Sequence, residues 1–269
     1  MSRIKACFDQ LKAAGRGALI PYLEAFDPDR ATSLEILRGM PGAGADLIEI
    51  GMPFSDPMAD GPTIQAAAIR GLKAGATLRG TLALVNDFRD ENQNTPVILM
   101  GYLNPILAYG PEQFCIDAEA AGVDGLIIVD LPPEEADLLL PFAAANKIDV
   151  IRLVAPTTDD ARLPQVLAGS SGFVYYISIA GITGTGTATP EQLEAAIPRL
   201  RAVTDLPIAI GFGIRTPAHV AAAWEVADAA VVASSLIGIM AATLDEQGKA
   251  TDKTVDAVLY EVRTLAAAQ

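Results

Sequence analysis

Two carboxylates in the segment LIEIGMPFSDPMADGPTIQ, Glu49 and Asp60, stand in contrasting surroundings. Glu49 lies inside an apolar run, between Ile48 and Ile50. Burying an ionised carboxylate alone is very costly, so a glutamate there must be paired, hydrogen-bonded or shifted in pKa. It is either a structural carboxylate bonded to a neighbouring loop or an acid raised into the range useful for general acid-base work. Asp60 sits in DPMADGP, where Asp-Gly-Pro is ordinary turn chemistry. Its alternative reading is as the second member of a pair, one acid buried and one on a polar loop, holding different protonation states at one pH. Such a pair suits a reaction needing one proton donor and one stabiliser of positive charge.

Other chemistry-bearing positions are less specific. In VYYIS, Tyr175 and Tyr176 must face opposite ways on a strand, and alternation alone does not choose the one that points inward. Three Gly/Ser-rich turns follow the last three strand-like runs: AGITGTGTATP (180–190), GFGIRTP (211–217) and ASS (233–235). They read either as plain tight turns or as a phosphate cradle of backbone N–H groups and a helix N-terminus. The 180–190 segment, with its glycines and threonines and little apolar material, also reads as a lid.

These residues need a frame to hold them, and the apolar pattern supplies one. Ile-, Val- and Leu-rich runs at 17–23, 46–52, 96–103, 125–130, 149–155, 172–178, 207–213 and 229–234 alternate with helical patterns. Several are apolar at nearly every position, as strands buried on both faces are. Helix starts are expected at Thr32 with Ser33, at Pro111, at Pro133 with Glu134 and Glu135, at Thr158 with Asp159, and at Pro190 with Glu191. The pattern predicts an α/β fold, a (β/α)8 TIM barrel, in preference to an open doubly wound sheet. Extra helices are expected at the N-terminus, after strand two (53–95) and at the C-terminus (235–246 and 252–267). With no linker or low-complexity tract, 1–269 is expected to be a single domain. In such barrels the active site lies at the C-terminal ends of the strands, where Glu49 and Asp60 fall.

Composition narrows the function classes. A formal charge of −14 repels phosphate backbones, so no nucleic-acid partner is expected. No apolar run is long enough to span a bilayer and the first residues lack a signal-like core, so a cytoplasmic location and no membrane contact are expected. Cys7 and Cys115 lie far apart and read as reduced thiols. With a single histidine, His219, in what reads as a solvated first helical turn, no metal site is expected.

Taken together, LIEIGMPFSDPMADGPTIQAA (47–67), MGYLNPILAYG (100–110), VDLPPEE (129–135), GFVYYISIAGITGTGT (172–187) and IAIGFGI (208–214) resemble the tryptophan synthase alpha subunit family along nearly the whole chain. The resemblance implies retro-aldol cleavage of indole-3-glycerol phosphate to indole and glyceraldehyde 3-phosphate. It implies that Glu49 moves protons between indole C3 and the glycerol hydroxyl. Asp60 then bonds the indole N–H and stabilises the indolenine cation, with Tyr175 as the active-site tyrosine. Phosphate would be held at Gly184, Gly213, Ser234 and Ser235. The indole pocket would comprise Tyr22, Ile64, Met100, Ile127, Thr183 and Phe212. The family usually has Gly then Ser where this chain has Ser234-Ser235, and a positive φ at that position would strain a serine. A pyridoxal-phosphate-dependent beta subunit is the implied partner, in an alpha2-beta2 complex. Asp56, Pro57, Asn104, Pro105 and Asp130 would lie near it, and this chain itself would hold no cofactor. A stand-alone lyase releasing free indole is the alternative within the same chemistry.

Overall fold

The computed structural model describes residues 2–177, 190–211 and 213–268. Among them, the strands are β1 (Ala18–Glu24), β2 (Ile48–Gly51), β3 (Val97–Gly101), β4 (Gly125–Ile128), β5 (Asp149–Val150), β6 (Arg152–Val154), β7 (Val174–Ile177), β8 (Ile208–Gly211) and β9 (Ala229–Val232). All pair in parallel, in the order β5-β4-β3-β2-β1-β9-β8-β7-β6. The two ends of that order, β5 and β6, are consecutive in the chain and flank Ile151, whose N–H donates to the Leu126 carbonyl at 2.9 Å. They are two segments of the single strand expected at 149–155, and the sheet closes through them into the predicted eight-stranded barrel.

The helices are α1 (Arg3–Ala14), α2 (Arg30–Gly39), α3 (Pro62–Lys73), α4 (Leu78–Arg89), α5 (Leu103–Tyr109), α6 (Pro111–Ala121), α7 (Leu140–Ala145), α8 (Leu163–Leu167), α9 (Pro190–Arg201), α10 (Pro217–Val226), α11 (Ser234–Ala242) and α12 (Thr254–Ala266). The extra helices fall where expected: α1, the pair α3 and α4 after β2, and the pair α11 and α12 at the end. Several boundaries differ. At Pro133, where a helix was expected to open, the chain makes a 3-10 helix (Pro133–Leu138), and α7 begins only at Leu140. Helix α2 opens at Arg30 because the Asp29 carboxylate accepts from the Thr32 N–H at 2.9 Å, earlier than Thr32-Ser33 suggested. The expected start at Thr158-Asp159 is a turn in which Asp159 accepts from the Arg162 N–H at 2.8 Å, and α8 begins at Leu163. The third strand stops at Gly101, and the following residues form α5, which apolar pattern alone had merged with the strand.

Strand alternation divides the core in two. Ala18, Ile20, Ile98, Ile127, Tyr175 and Ala209 fill the barrel, while Leu19, Ile48, Ile50, Leu99 and Leu126 pack outward against the helices. The N-terminal end of the barrel is closed by α1, whose Ile4, Phe8 and Leu11 join the interior cluster. Phe8 meets Phe173 with ring centroids 5.8 Å apart. Phe8→Ala would leave a void there at a cost of about 3–5 kcal/mol. The opposite end carries the polar residues and the longer loops.

Candidate active site

One cavity at the C-terminal mouth is lined by Tyr22, Glu49, Asp60, Ile64, Met100 and Tyr175, with Val129, Leu153, Gly213 and Ser234 among its further walls. Its volume is about 170 Å³, similar to the ~150 Å³ apolar cavities known to take a benzene ring.

Glu49 reaches this cavity because β2 alternates. Ile48 and Ile50 face the helices, so Glu49 between them faces the interior, opposite Tyr22 on β1 and Ile98 on β3. It is 1% exposed, and its Oε2 has no hydrogen-bond partner among the described residues. Burial pushes its carboxyl up to about 8, with the nearby charge of Asp60 adding to the rise.

Asp60 is half-buried on the loop between β2 and α3. The loop is pinned twice: Gln65 Nε2 donates to the Asp60 carbonyl at 2.8 Å, and the Ala59 N–H donates to Tyr102 Oη at 3.0 Å. The Tyr102 hydroxyl also acts on the Asp60 carboxylate, and its ring packs on Phe54 at 5.5 Å between centroids. Burial raises Asp60 to about 6, and the Tyr102 hydroxyl opposes that rise. The two acids therefore differ in state near neutrality. Glu49 is mainly protonated and Asp60 mainly ionised.

Tyr175 is the inward tyrosine of β7, and Tyr176 packs outward with Leu193 and Ile197. Burial, and then the charge of Glu49, hold the Tyr175 phenol protonated. Its hydroxyl lies over Gly211, where a Cβ would come within 2.0 Å of it.

The expected phosphate positions are brought together in part. Gly213 has φ +82°, and both Gly213 and Ser234 border the cavity. Ser234 is the first residue of α11, whose N-terminus has no side-chain cap. Ser234 is not among the positive-φ residues, so the serine carries no such strain. Ser235 Oγ is buried and has no hydrogen-bond partner among the described residues. Gly184, Thr183, Phe212 and the expected lid lie outside the described residues.

Of the expected indole pocket, Tyr22, Ile64 and Met100 line the cavity. Ile127 is fully buried in the interior layer, and Val129, two residues further on, supplies the β4 side of the wall. Asp56 and Asn104 are exposed, with Pro57 and Pro105 half-buried beside them. Asp130 accepts from the Leu103 N–H at 2.7 Å, tying the β4 loop to the start of α5. Sequence reasoning missed Tyr102 and Glu24. Tyr102 was visible only as one residue within the strand run expected at 96–103, and Glu24 as one position beyond the first apolar run. Glu24 is 3% exposed and accepts a hydrogen bond from the Tyr22 hydroxyl.

The chain is similar to proteins of one kind across its length. A family model described as "Tryptophan synthase alpha chain" matches residues 8–267. A tryptophan synthase alpha chain from Granulibacter bethesdensis is 69% identical over 268 residues, covering 100% of this chain and 96% of that relative. One from Acidiphilium cryptum is 65% identical, covering 100% and 97%. Among solved structures, tryptophan synthase subunit alpha from Legionella pneumophila superposes with a TM-score of 0.88 at 35% identity, covering 100% of this chain and 98% of that one.

Proposed function

The chain belongs to the tryptophan synthase alpha chain family, and from that premise we propose which of its residues carry the reaction. The activity is that of a carbon-carbon lyase, cleaving indole-3-glycerol phosphate to indole and glyceraldehyde 3-phosphate as the alpha-subunit step of tryptophan biosynthesis.

The observation that carries the assignment is that Glu49, 1% exposed with Oε2 unpartnered among the described residues, and Asp60, half-buried on a loop, line one cavity. Burial in these two settings raises Glu49 to about 8 and Asp60 only to about 6, so the first holds a proton where the second is ionised. Cleavage of the C3–C3′ bond begins with protonation of indole C3, which removes ring aromaticity and places positive charge on nitrogen. Glu49 gives that proton. The Asp60 carboxylate accepts the indole N–H and stabilises the cation, an interaction strengthened by exclusion of water. The carboxylate now left on Glu49 takes the proton of the C3′ hydroxyl. As the carbonyl forms, the C3–C3′ electron pair returns to the ring and restores indole. Glu49 ends the cycle protonated, as it began. Tyr175 supports Glu49 from β7.

Phosphate is assigned to Gly184, Gly213, Ser234 and Ser235. Among the described residues, the N-terminus of α11 has no side-chain cap and the Ser235 hydroxyl has no partner, and both support that assignment, since an anion satisfies them. Ile64, Met100 and Tyr22 wall the indole ring, with Ile127 beneath them and Thr183 and Phe212 completing the pocket. The reading includes a beta subunit as partner, carrying pyridoxal phosphate, and 1–269 as one barrel domain. Met58 is 79% exposed beside Asp56 and Pro57, and Leu107 is 44% exposed on α5 with Asn104 and Pro105, which gives the partner apolar contacts on those segments. No described helix is long and apolar enough to cross a membrane, in keeping with a cytoplasmic location.

The test is purified chain with indole-3-glycerol phosphate, with and without a beta subunit. Indole formation, increased by the partner, is expected. No indole in either condition would overturn the reading.

A further inference from the structure

We propose that Glu24 is a positioning residue of this active site, fixing the Tyr22 ring that walls the indole pocket by holding its hydroxyl. The inference rests on the lyase reading above.

Tyr22 and Glu24 are two apart on β1 and so share the inward face. Tyr22 lines the main cavity, and Glu24 lies one step further toward the mouth. Both also border a small adjoining cavity of about 10 Å³, with Asp60, Met100 and Tyr102. The register partner of Glu24 is Gly51 on β2. A Cβ at Gly51 would fall 2.1 Å from Tyr22 Oη and 2.2 Å from Glu24 Oε2, so the hydrogen-bonded pair occupies the space that this glycine leaves open.

The pairing has a definite direction. Burial raises the Tyr22 phenol well above its ordinary range, so it remains a donor. Burial also raises Glu24 to about 8, against the opposing pull of the Tyr22 hydrogen bond. No ion pair with Glu24 occurs among the described residues, and the charges that act on it, those of Asp60 and Asp27, are acidic and add to the rise. An acid buried without a cation destabilises the barrel relative to an apolar residue. A threonine or leucine would fill the position at less cost, yet neither would hold the Tyr22 hydroxyl from the same reach. Without that anchor the ring is free to leave the position in which it faces indole.

Steady-state turnover of indole-3-glycerol phosphate by the chain with its beta subunit tests this, using Glu24→Leu, Glu24→Gln, Tyr22→Phe and the Tyr22→Phe/Glu24→Leu double variant. Glu24→Leu is expected to raise KM up to about tenfold, the scale of one buried hydrogen bond, with kcat changed far less. Glu24→Gln keeps an acceptor and should recover most of the loss. The double variant should be no worse than Glu24→Leu alone, because both changes break one contact. An unchanged KM in Glu24→Leu, or additive losses in the double variant, would overturn the proposal. Should Glu24→Leu fail to fold, Tyr22→Phe and Glu24→Gln decide it: equal KM values for Tyr22→Phe and wild type count against it. If wild-type protein forms no indole, it is the lyase reading that has failed, which separates the two outcomes.

Discussion

Tyr22 and Glu49 are register partners in the β1–β2 ladder, and both side chains enter the same cavity. The pocket wall and the proton donor are therefore held by adjacent strands of the barrel. Asp60, in contrast, is carried on a loop and placed by Tyr102. Rigid placement of the proton-transfer group and looser placement of the charge stabiliser follow from that difference.

Glu49→Gln should lower kcat by about 10²- to 10⁴-fold, the usual contribution of a positioned acid-base group. Asp60→Asn should lose about 10²- to 10³-fold, as removal of a preorganised charge stabiliser does. Circular dichroism should stay that of the folded barrel. Near-normal turnover in either variant removes that residue from the mechanism.

The pH dependence of kcat/KM should be bell-shaped. Its acid limb should lie near 6, where Asp60 ionises, and its alkaline limb near 8, where Glu49 loses its proton. The two groups interact, so the limbs report the pair. Glu49→Asp should move the alkaline limb, and a profile flat from pH 5 to 9 would contradict the assignment.

Stability should respond in the opposite sense to that of a salt-bridged acid. The Glu49 carboxyl ordinarily titrates near 4.5 but in the fold holds its proton to about 8. Between those values the folded chain binds more protons than the unfolded one, so stability falls as pH rises. This contribution is complete below 4.5 and lost through 8. Glu24 acts in the same window and Asp60 in a narrower one ending near 6. The Tm of Glu49→Gln relative to wild type should rise by about 3 °C or more between pH 5 and pH 8. Calorimetry showing a constant difference would mean that Glu49 is not shifted.

Gly211→Ala should displace Tyr175. The new Cβ would lie 2.0 Å from the tyrosine hydroxyl and 2.4 Å from Cζ, too close for the ring to stay. Expected are a loss of Tm and a fall in kcat/KM of about tenfold or more. Tyr175→Phe alone should cost less, since it leaves the ring seated. Equal activity of Gly211→Ala and wild type would show that the ring position is immaterial.

The barrel was legible because its strands are apolar on both faces, and that pattern survives a shift of one or two residues at either end. Glu49 stood out for the same reason, as one charge in an apolar run. Asp60 did not, because a turn aspartate and a half-buried one look alike until Tyr102 is placed beside it. Tyr175 and Tyr176 could not be separated by alternation, since the phase of β7 is set by its packing against β6 and β8. Glu24 was hidden by its place at the end of an apolar run, where acids usually meet solvent. The helix start at Asp29 was missed because Thr32 and Ser33 carry equally good capping side chains.

Helix α1, wedged under the strands with Ile4, Phe8 and Leu11, gives the barrel a floor. Its loss would let water rise among the interior side chains from below. The dry surroundings that raise the Glu49 carboxyl therefore depend on a helix at the far end of the fold.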